Sequence, residues 1–355
     1  MGDRWNPKYF KGRKRMKIPA TVITGFLGAG KTTLIRHMLE NAGGKRIALI
    51  INEFGDLGID RSMLAGCGIE GCEDDNIMEL ANGCICCTVA DDFLPTMEAL
   101  LDRENPPDHI VIETSGLALP KPLVQAFSWP EIKSRVTVDG VVTVVDAPAV
   151  DAGRFADDPD AVQDARQEDE MLDHESPLEE VFEDQLLSAD LVLLNKSDML
   201  DDAAMAGVRL IVEKEIDPAA KIIAINHGNI DIKILLGIGA AVEDVIEQRK
   251  SHHDGEDGHD HDDFDSFVVE LGDVSNPDEL ENTLKTLTAD HDILRIKGFL
   301  NVPGKDMRHV VQGVGPRLQR YFDRPWRDGE ARRSELVIIG ASGLDVVAIR
   351  SALAG

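Results

Sequence analysis

The chain has 355 residues, of which 43% are hydrophobic and 29% are charged, a composition typical of a globular protein with a sizeable core. Its formal net charge of −28 would repel a phosphate backbone, which argues against nucleic acid and anionic membrane surfaces as partners. No stretch approaches the roughly 18 to 20 apolar residues of a membrane span. Because no secretory signal is evident and five is an odd number of cysteines, we expect a cytoplasmic protein with free thiols.

Apolar runs and helical segments alternate along most of the chain. Residues 1–17 carry seven Lys and Arg and are interpreted as a basic, solvated tail. Residues 18–250 then alternate between runs such as IPATVIT and segments of helical period such as KTTLIRHMLENA. Strands that are apolar on both faces are typical of a parallel sheet covered by helices on each side. We therefore predict an α/β fold with a doubly wound, mainly parallel sheet that binds ligands at the carboxyl ends of its strands.

Two polar segments interrupt this alternation. Residues 151–184 hold 14 Asp and Glu against two Arg, and we interpret them as an acidic surface insertion. Residues 251–265 contain four of the ten histidines and seven acids, which predicts a flexible linker at a domain boundary. Residues 266–355 beyond it are predicted to form a small α+β domain.

The first strand is followed by a phosphate-binding pattern, G-x-x-x-x-G-K-[ST], in TGFLGAGKTT. The glycines allow successive backbone N–H groups to point at the β-phosphate, while the helix amino end adds positive dipole. Lys31 is the predicted catalytic cation for the β- and γ-phosphate oxygens, and Thr32 is a predicted Mg²⁺ ligand. The nucleotide-binding residues predicted in this loop are Gly25, Gly28, Ala29, Gly30, Lys31, Thr32 and Thr33.

A second carboxylate is expected to hold or orient the Mg²⁺ ion from a neighbouring strand. Glu113 ends the run HIVIE and is the predicted catalytic and Mg²⁺-binding acid. Gly116, three residues later, offers a backbone N–H that could sense the γ-phosphate. Asp146, which closes VVTVVD, is an alternative for the carboxylate.

The run LVLLNKSD predicts a guanine-binding loop. Asp198 can accept hydrogen bonds from the N1–H and the 2-amino group of guanine, Lys196 can lie over the base, and Asn195 can brace the loop. Adenine lacks this pair of donors and would leave the carboxylate unpaired. Downstream of a phosphate loop, this motif predicts GTP as the nucleotide and a P-loop GTPase as the fold.

Three cysteines lie within four positions of the segment ELANGCICC. In an extended backbone Cys84 and Cys86 point the same way and Cys87 the other, so two thiolates can meet one ion and the third joins only if the chain bends. Such a site suits zinc, cobalt(II) or copper(I), and ligand chemistry does not choose among them. Cys67 and Cys72 could complete this site or compete with it.

The segments TGFLGAGKTT, NEFGDLGID, ELANGCICC, ETSG and NKSD, in this order, resemble the CobW family of metal-handling P-loop GTPases. The resemblance covers most of the chain and is strongest to the members that serve cobalamin biosynthesis. It implies a CobW-type carboxyl-terminal domain, and delivery of cobalt(II), bound together with Mg²⁺ and GTP, to a cobaltochelatase or another apo-metalloenzyme client. A zinc cargo, and a metal buffer or sensor for which hydrolysis is incidental, remain alternatives.

Further metal contacts follow from this resemblance and from composition. Within NEFGDLGID, the segment that responds to nucleotide in the family, Glu53, Asp56 and Asp60 are candidate contacts of Mg²⁺ or the cargo metal. Ordinary loop acids are the alternative interpretation of Asp56 and Asp60. The linker histidines could bind divalent ions weakly through neutral imidazoles, or the linker could be a plain spacer. These histidines are His252, His253, His259 and His261. The sequence does not identify an arginine finger or a glutamine that positions the attacking water. We therefore expect slow intrinsic GTP hydrolysis.

Overall fold

The computed structural model describes residues 17–51, 77–79, 93–114, 116–117, 120–159, 162–164, 178–236, 264–326 and 330–353. Its first seven strands are β1 (Ile18–Thr24), β2 (Ile47–Ile51), β3 (Ile77–Glu79), β4 (His109–Glu113), β5 (Val136–Asp146), β6 (Leu191–Asn195) and β7 (Lys221–Ala224). They form one sheet in the order β3-β2-β4-β1-β5-β6-β7, and every neighbouring pair is parallel. The doubly wound parallel sheet predicted from the sequence is thereby confirmed.

Helices cover both faces of this sheet. They are α1 (Lys31–Glu40), α2 (Leu94–Leu101), α3 (Pro120–Ala126), α4 (Pro130–Lys133), α5 (Ala147–Asp151), α6 (Leu178–Leu187), α7 (Asp202–Val212) and α8 (Ile232–Leu236), with a 3₁₀ helix at Ser197–Met199. Alternate strand residues face opposite sides, so Val22 packs in the cluster that contains α2 and α3, whereas Ile23 packs in the cluster that contains α1 and α8. Among the described residues, no helix combines the length and apolarity needed to cross a bilayer.

The carboxyl-terminal domain is a five-stranded antiparallel sheet with two helices, as the predicted α+β class requires. Its elements are β8 (Phe264–Leu271), α9 (Pro277–Asp290), β9 (Ile293–Leu300), β10 (Met307–Val314), β11 (Arg317–Pro325), β12 (Ser334–Ala341) and α10 (Val346–Leu353). The strand order is β11-β10-β9-β12-β8. β8 begins at Phe264, so it includes the last two residues of the segment 251–265 predicted as linker. Phe264 packs against the core, which explains why the strand starts there.

The two sheets share one hydrophobic core. Val268, Leu294 and Val337 of the carboxyl-terminal sheet lie in the same buried cluster as Ile23 and Val142 of the parallel sheet. The apolar residues on one side of β8, β9 and β12 therefore cover part of the parallel sheet, where a doubly wound fold would otherwise need further helices.

Buried polar contacts accompany this apolar junction. Arg295 of β9 forms an ion pair with Asp139 of β5, and both side chains are 1% exposed. The Nη1 of Arg295 also donates to the carbonyl oxygen of Ile234 in α8, at 3.1 Å. Arg317 Nε donates to Asp190 Oδ2 at 2.5 Å. Because an unpaired charge is costly in such an environment, separating these pairs would destabilise the arrangement of the two sheets.

His109 is buried at the start of β4, where a hydrogen bond of 2.8 Å joins its Nε2 to Thr21 Oγ1. Burial lowers the pKa of His109 to about 3; Asp139 opposes this shift, whereas Arg295 and Lys297 add to it. The imidazole is therefore neutral in the folded protein at neutral pH, but in the unfolded chain it takes up a proton below about pH 6.5.

We expect His109 to make the free energy of unfolding fall as the pH drops from about 6.5 towards 3, with a slope approaching about 1.4 kcal/mol per pH unit. The sign follows because the unfolded state binds the extra proton in this range. Urea unfolding between about pH 7 and pH 4.5 tests this, with His109→Gln as the comparison because an amide can keep a hydrogen bond to Thr21. The wild type should lose more stability than the variant, and parallel pH profiles would contradict the prediction.

Candidate GTP-binding site

The phosphate loop joins β1 to α1 through residues whose backbone requires glycine. Gly25 has φ 135° and Gly30, the N-cap of α1, has φ 103°. A Cβ added to Gly25 would lie 2.2 Å from the carbonyl oxygen of Val144, and one added to Gly30 would lie 2.2 Å from Nδ2 of Asn195. Only glycine combines the left-handed backbone with this close approach to β5 and β6.

Lys31 is folded back over the loop that precedes it. Its Nζ donates to the carbonyl oxygen of Gly25 at 2.8 Å and to that of Phe26 at 3.3 Å. Thr32 is half-buried and Thr33 is exposed in the first turn of α1. The loop thus brings an ammonium group, a hydroxyl and a helix amino end together, which is the chemistry that a triphosphate requires.

Asn195 connects the phosphate loop to two neighbouring loops. The side chain is buried at the end of β6, and its Nδ2 donates to the carbonyl oxygen of Ala29 at 2.8 Å. Its Oδ1 accepts from the backbone N–H of Gly228 at 3.3 Å. Gly28, which precedes Ala29 in the phosphate loop, has a left-handed backbone with φ 79°. Asn195 therefore joins the phosphate loop to the loop that contains Gly228.

Lys196 follows Asn195 in a left-handed conformation with φ 59°. Its Nζ lies 2.5 Å from Asp146 Oδ2, while Asp146 Oδ1 accepts from the backbone N–H of Ala149 at 3.2 Å. Both carboxylate oxygens of this buried Asp are therefore engaged in holding Lys196 and capping α5. Asp146 as the alternative Mg²⁺ ligand stays a prediction.

Glu113 ends β4 next to the strand that leads into the phosphate loop. Its side chain is buried, and its Cα pairs in register with Ile23 of β1. The chain continues through Thr114, whose N–H donates to the carbonyl oxygen of Ile23 at 2.9 Å. Gly116 then lies directly against the phosphate loop, because a Cβ added there would be 2.7 Å from the backbone nitrogen of Leu27.

The sequence did not point to the loop that follows β7, yet this loop borders the site. Ser197 N–H donates to the carbonyl oxygen of Ile225 at 3.1 Å, and His227 Nε2 lies 3.8 Å from Asp198 Oδ2. Gly228 contacts Asn195. The available signal was the run NHG at the carboxyl end of a predicted strand, where ligands of open α/β sheets bind.

The predicted metal ligands other than Thr32, Glu113 and the alternative Asp146 lie outside the described residues. They are Glu53, Asp56, Asp60, Cys67, Cys72, Cys84, Cys86, Cys87, His252, His253, His259 and His261. Within the part of the chain that the structure describes, no group of three or more His, Cys, Asp and Glu side chains is arranged to hold a metal ion.

Comparison with known proteins places these motifs in a family. Residues 19–224 match the family described as "CobW/HypB/UreG, nucleotide-binding domain", and residues 264–355 match "Cobalamin synthesis protein cobW C-terminal domain". A protein of Sinorhizobium sp. named "Zinc chaperone CobW" is 59% identical over 95% of this chain and 96% of its own length. A protein of the same name from Pseudomonas aeruginosa is 55% identical over 95% of this chain and 91% of its own.

Among solved structures, the Zn(II)-bound YjiA GTPase from E. coli is 28% identical over 95% of this chain and 98% of its own, with a TM-score of 0.42. The two family matches together account for most of the chain, from the strand before the phosphate loop to the end of the carboxyl-terminal sheet domain. The chain therefore belongs to the CobW/HypB/UreG family of P-loop GTPases and carries the CobW carboxyl-terminal domain.

Proposed function

We propose that this GTPase is a metallochaperone that holds a divalent metal ion while Mg²⁺ and GTP are bound and releases it to an apo-metalloenzyme client after hydrolysis. The main support for GTP binding is the contact of Asn195 with Ala29, which links the phosphate loop to the predicted guanine loop. The proposal of a metal cargo is supported by two relatives, 59% and 55% identical to this chain, that are named zinc chaperones. Zinc is therefore the cargo we favour.

The residues around the phosphate loop fit a magnesium nucleotide. A threonine hydroxyl and a carboxylate are hard oxygen ligands of the kind that Mg²⁺ takes, and Thr32 and Glu113 would hold the ion. Bound Mg²⁺ would neutralise charge on the β- and γ-phosphate oxygens. Lys31 would bind the same oxygens, and the N–H of Gly116 would contact the γ-phosphate. On the guanine side, Asp198 would accept two hydrogen bonds from the base while Asp146 orients Lys196.

We assign the cargo ion to the thiolates of Cys84, Cys86 and Cys87. These cysteines precede the Glu113 strand and follow β2, where P-loop GTPases keep segments that order around the γ-phosphate. Soft ligands suit zinc, which binds more tightly than cobalt(II) at a given site. Cobalt(II) delivery to a cobaltochelatase is the second candidate, favoured by the match of residues 264–355 to the cobalamin-synthesis domain.

Metal competition tests the assignment. In the presence of Mg²⁺ and GTP, we expect the protein to bind one zinc ion more tightly than cobalt(II), and we expect Mg²⁺ with GDP to weaken zinc binding by about ten-fold or more. The variant Cys84→Ser/Cys86→Ser should lose this tight zinc and, in the absence of zinc, keep the wild-type affinity for GTP. Cys67→Ser/Cys72→Ser is the matched variant, because it removes the same number of thiols elsewhere in the sequence. Retention of the tight zinc by this variant would show that Cys67 and Cys72 are not ligands.

Three results decide between the alternatives. Zinc affinity that is identical with GTP, GDP and no nucleotide would contradict the nucleotide gate. Cobalt(II) that displaces zinc at equal concentration would make cobalt the cargo. Delivery to an apo-client that proceeds equally with a non-hydrolysable GTP analogue would favour the buffer or sensor, because release would not then require hydrolysis.

A further inference from the structure

The acidic segment 151–184 is attached at both of its ends to the phosphate loop. Phe26, the second residue of that loop, packs against Phe155 and Phe182, with ring centroids 6.1 Å and 5.9 Å apart. The rings of Phe155 and Phe182 are themselves 5.6 Å apart. Two aromatic side chains, one near the start of the acidic segment and one in α6 near its end, thus pack against one side chain of the nucleotide site.

Gln185 lies in α6, three residues after Phe182, and makes a second contact with the nucleotide site. Its side chain is fully buried, and its Nε2 donates to the carbonyl oxygen of Gly116 at 3.0 Å. Its own backbone oxygen accepts from Thr143 Oγ1 of β5, also at 3.0 Å. The hydrogen bond from Thr143 therefore joins α6 to the sheet, and the hydrogen bond to Gly116 joins α6 to the loop that follows β4.

The contact matters because Gly116 lacks a side chain to restrict its backbone. Glycine populates more of φ/ψ space than any other residue, so its conformation in a loop depends on outside contacts. Here one side of Gly116 lies against the backbone nitrogen of Leu27 in the phosphate loop. The amide of Gln185 holds the carbonyl of the same residue. Together they fix Gly116 between α6 and the phosphate loop.

We propose that Gln185 is a positioning residue for GTP hydrolysis, which holds Gly116 so that its backbone N–H meets the γ-phosphate. This inference rests on the γ-phosphate contact proposed above for Gly116. GDP has no γ-phosphate, so loss of the Gln185 bond should affect GTP hydrolysis and the preference for GTP over GDP and leave the affinity for GDP unchanged. Since small misplacements of reacting groups are costly, we expect kcat to fall by about ten-fold.

The test compares Gln185→Met with Thr143→Val in the full-length protein. Gln185→Met keeps the volume of the side chain and removes the donor to Gly116. Thr143→Val is the matched control, because it removes a buried hydrogen bond between the same helix and β5 without touching Gly116. The kcat of GTP hydrolysis, the affinities for GDP and a non-hydrolysable GTP analogue, and the Tm are measured for both.

We expect both variants to lower the Tm, and only Gln185→Met to reduce kcat and the preference for the GTP analogue over GDP. Equal effects of the two variants on kcat, or an unchanged kcat in Gln185→Met, would overturn the proposal. Absence of GTP hydrolysis by the wild-type protein with Mg²⁺ would instead overturn the proposed function.

A second variant, Gln185→Glu, gives a readout that a purely structural role would not change. A protonated carboxyl group can donate to the Gly116 carbonyl, whereas an ionised one cannot. The kcat of this variant relative to wild type should therefore fall as the pH rises. A ratio that does not change with pH would count against the proposal, and this variant also decides the matter if Gln185→Met does not fold.

Discussion

Asp198→Asn should weaken GTP binding by about 100-fold or more and give the protein measurable affinity for xanthosine triphosphate. The side chain is 43% exposed beside the loop that follows β7, so its carboxylate is open to a base. Hydrogen bonds to a charged group contribute about 1.5–3 kcal/mol each, and the substitution removes the charge from both bonds to guanine. Xanthine carries an oxygen where guanine carries the 2-amino group, and the Asn amide can donate to that oxygen.

Asp201→Asn is the matched control for this substitution. Asp201 is exposed three residues further along, and its Oδ1 accepts from the N–H of Ala204 at 2.8 Å as the N-cap of α7. Asn is as good an N-cap as Asp, so this change removes the same charge without altering the fold. Calorimetric titration with both nucleotides should show normal GTP binding for Asp201→Asn. If Asp198→Asn bound GTP as the control does, the guanine assignment would be wrong.

The parts of the site that come from contiguous motifs could be predicted from the sequence. A glycine-rich turn between a strand and a helix has few conformations, and the conformations of Gly25 and Gly30 follow from their spacing to Lys31. The ends of β1, β4, β5 and β6 meet because these four strands are adjacent in the sheet. Adjacency of parallel strands brings Asn195 to Ala29, although 166 residues separate them.

The side-chain partners that orient these motifs could not be predicted, because each joins distant segments without a recurring spacing. The contact of Gln185 with Gly116 spans 69 positions, and that of Lys196 with Asp146 spans 50. In the sequence, Gln185 is an ordinary polar residue of a helix after an acidic stretch. Its complete burial, which gives the contact its importance, depends on how α6 packs on the sheet.

The junction between the two sheets could not be predicted from the sequence either. A linker rich in His and Asp suggested separate domains, whereas the structure joins them in one core. One signal was present: Asp139 interrupts the apolar run of β5, in which all eleven residues are buried. A charge within such a strand requires a buried partner, and the sequence alone did not identify Arg295 as that partner.

Arg295→Met should lower the free energy of unfolding by about 3–5 kcal/mol, because it leaves the carboxylate of Asp139 buried without its guanidinium partner. The same change also removes the Nη1 donor from the carbonyl oxygen of Ile234. Asp139→Leu/Arg295→Met, which removes both charges, should recover much of the loss, since a buried ion pair is often no better than apolar side chains of similar volume. Urea unfolding of the wild type, Arg295→Met and Asp139→Leu/Arg295→Met measures these free energies.

Arg46→Met provides the control, because Arg46 pairs with Asp108 at the surface, where the two side chains are 45% and 41% exposed. An exposed pair contributes about 0–1 kcal/mol, so this variant should unfold nearly as the wild type does. The effect of Arg295→Met should also shrink as the pH falls. Asp139 raises the pKa of the buried His109 and Arg295 lowers it, so without the arginine a proton on His109 can replace the missing positive charge. A loss of stability no larger than that of Arg46→Met would mean that the apolar core alone holds the two sheets together.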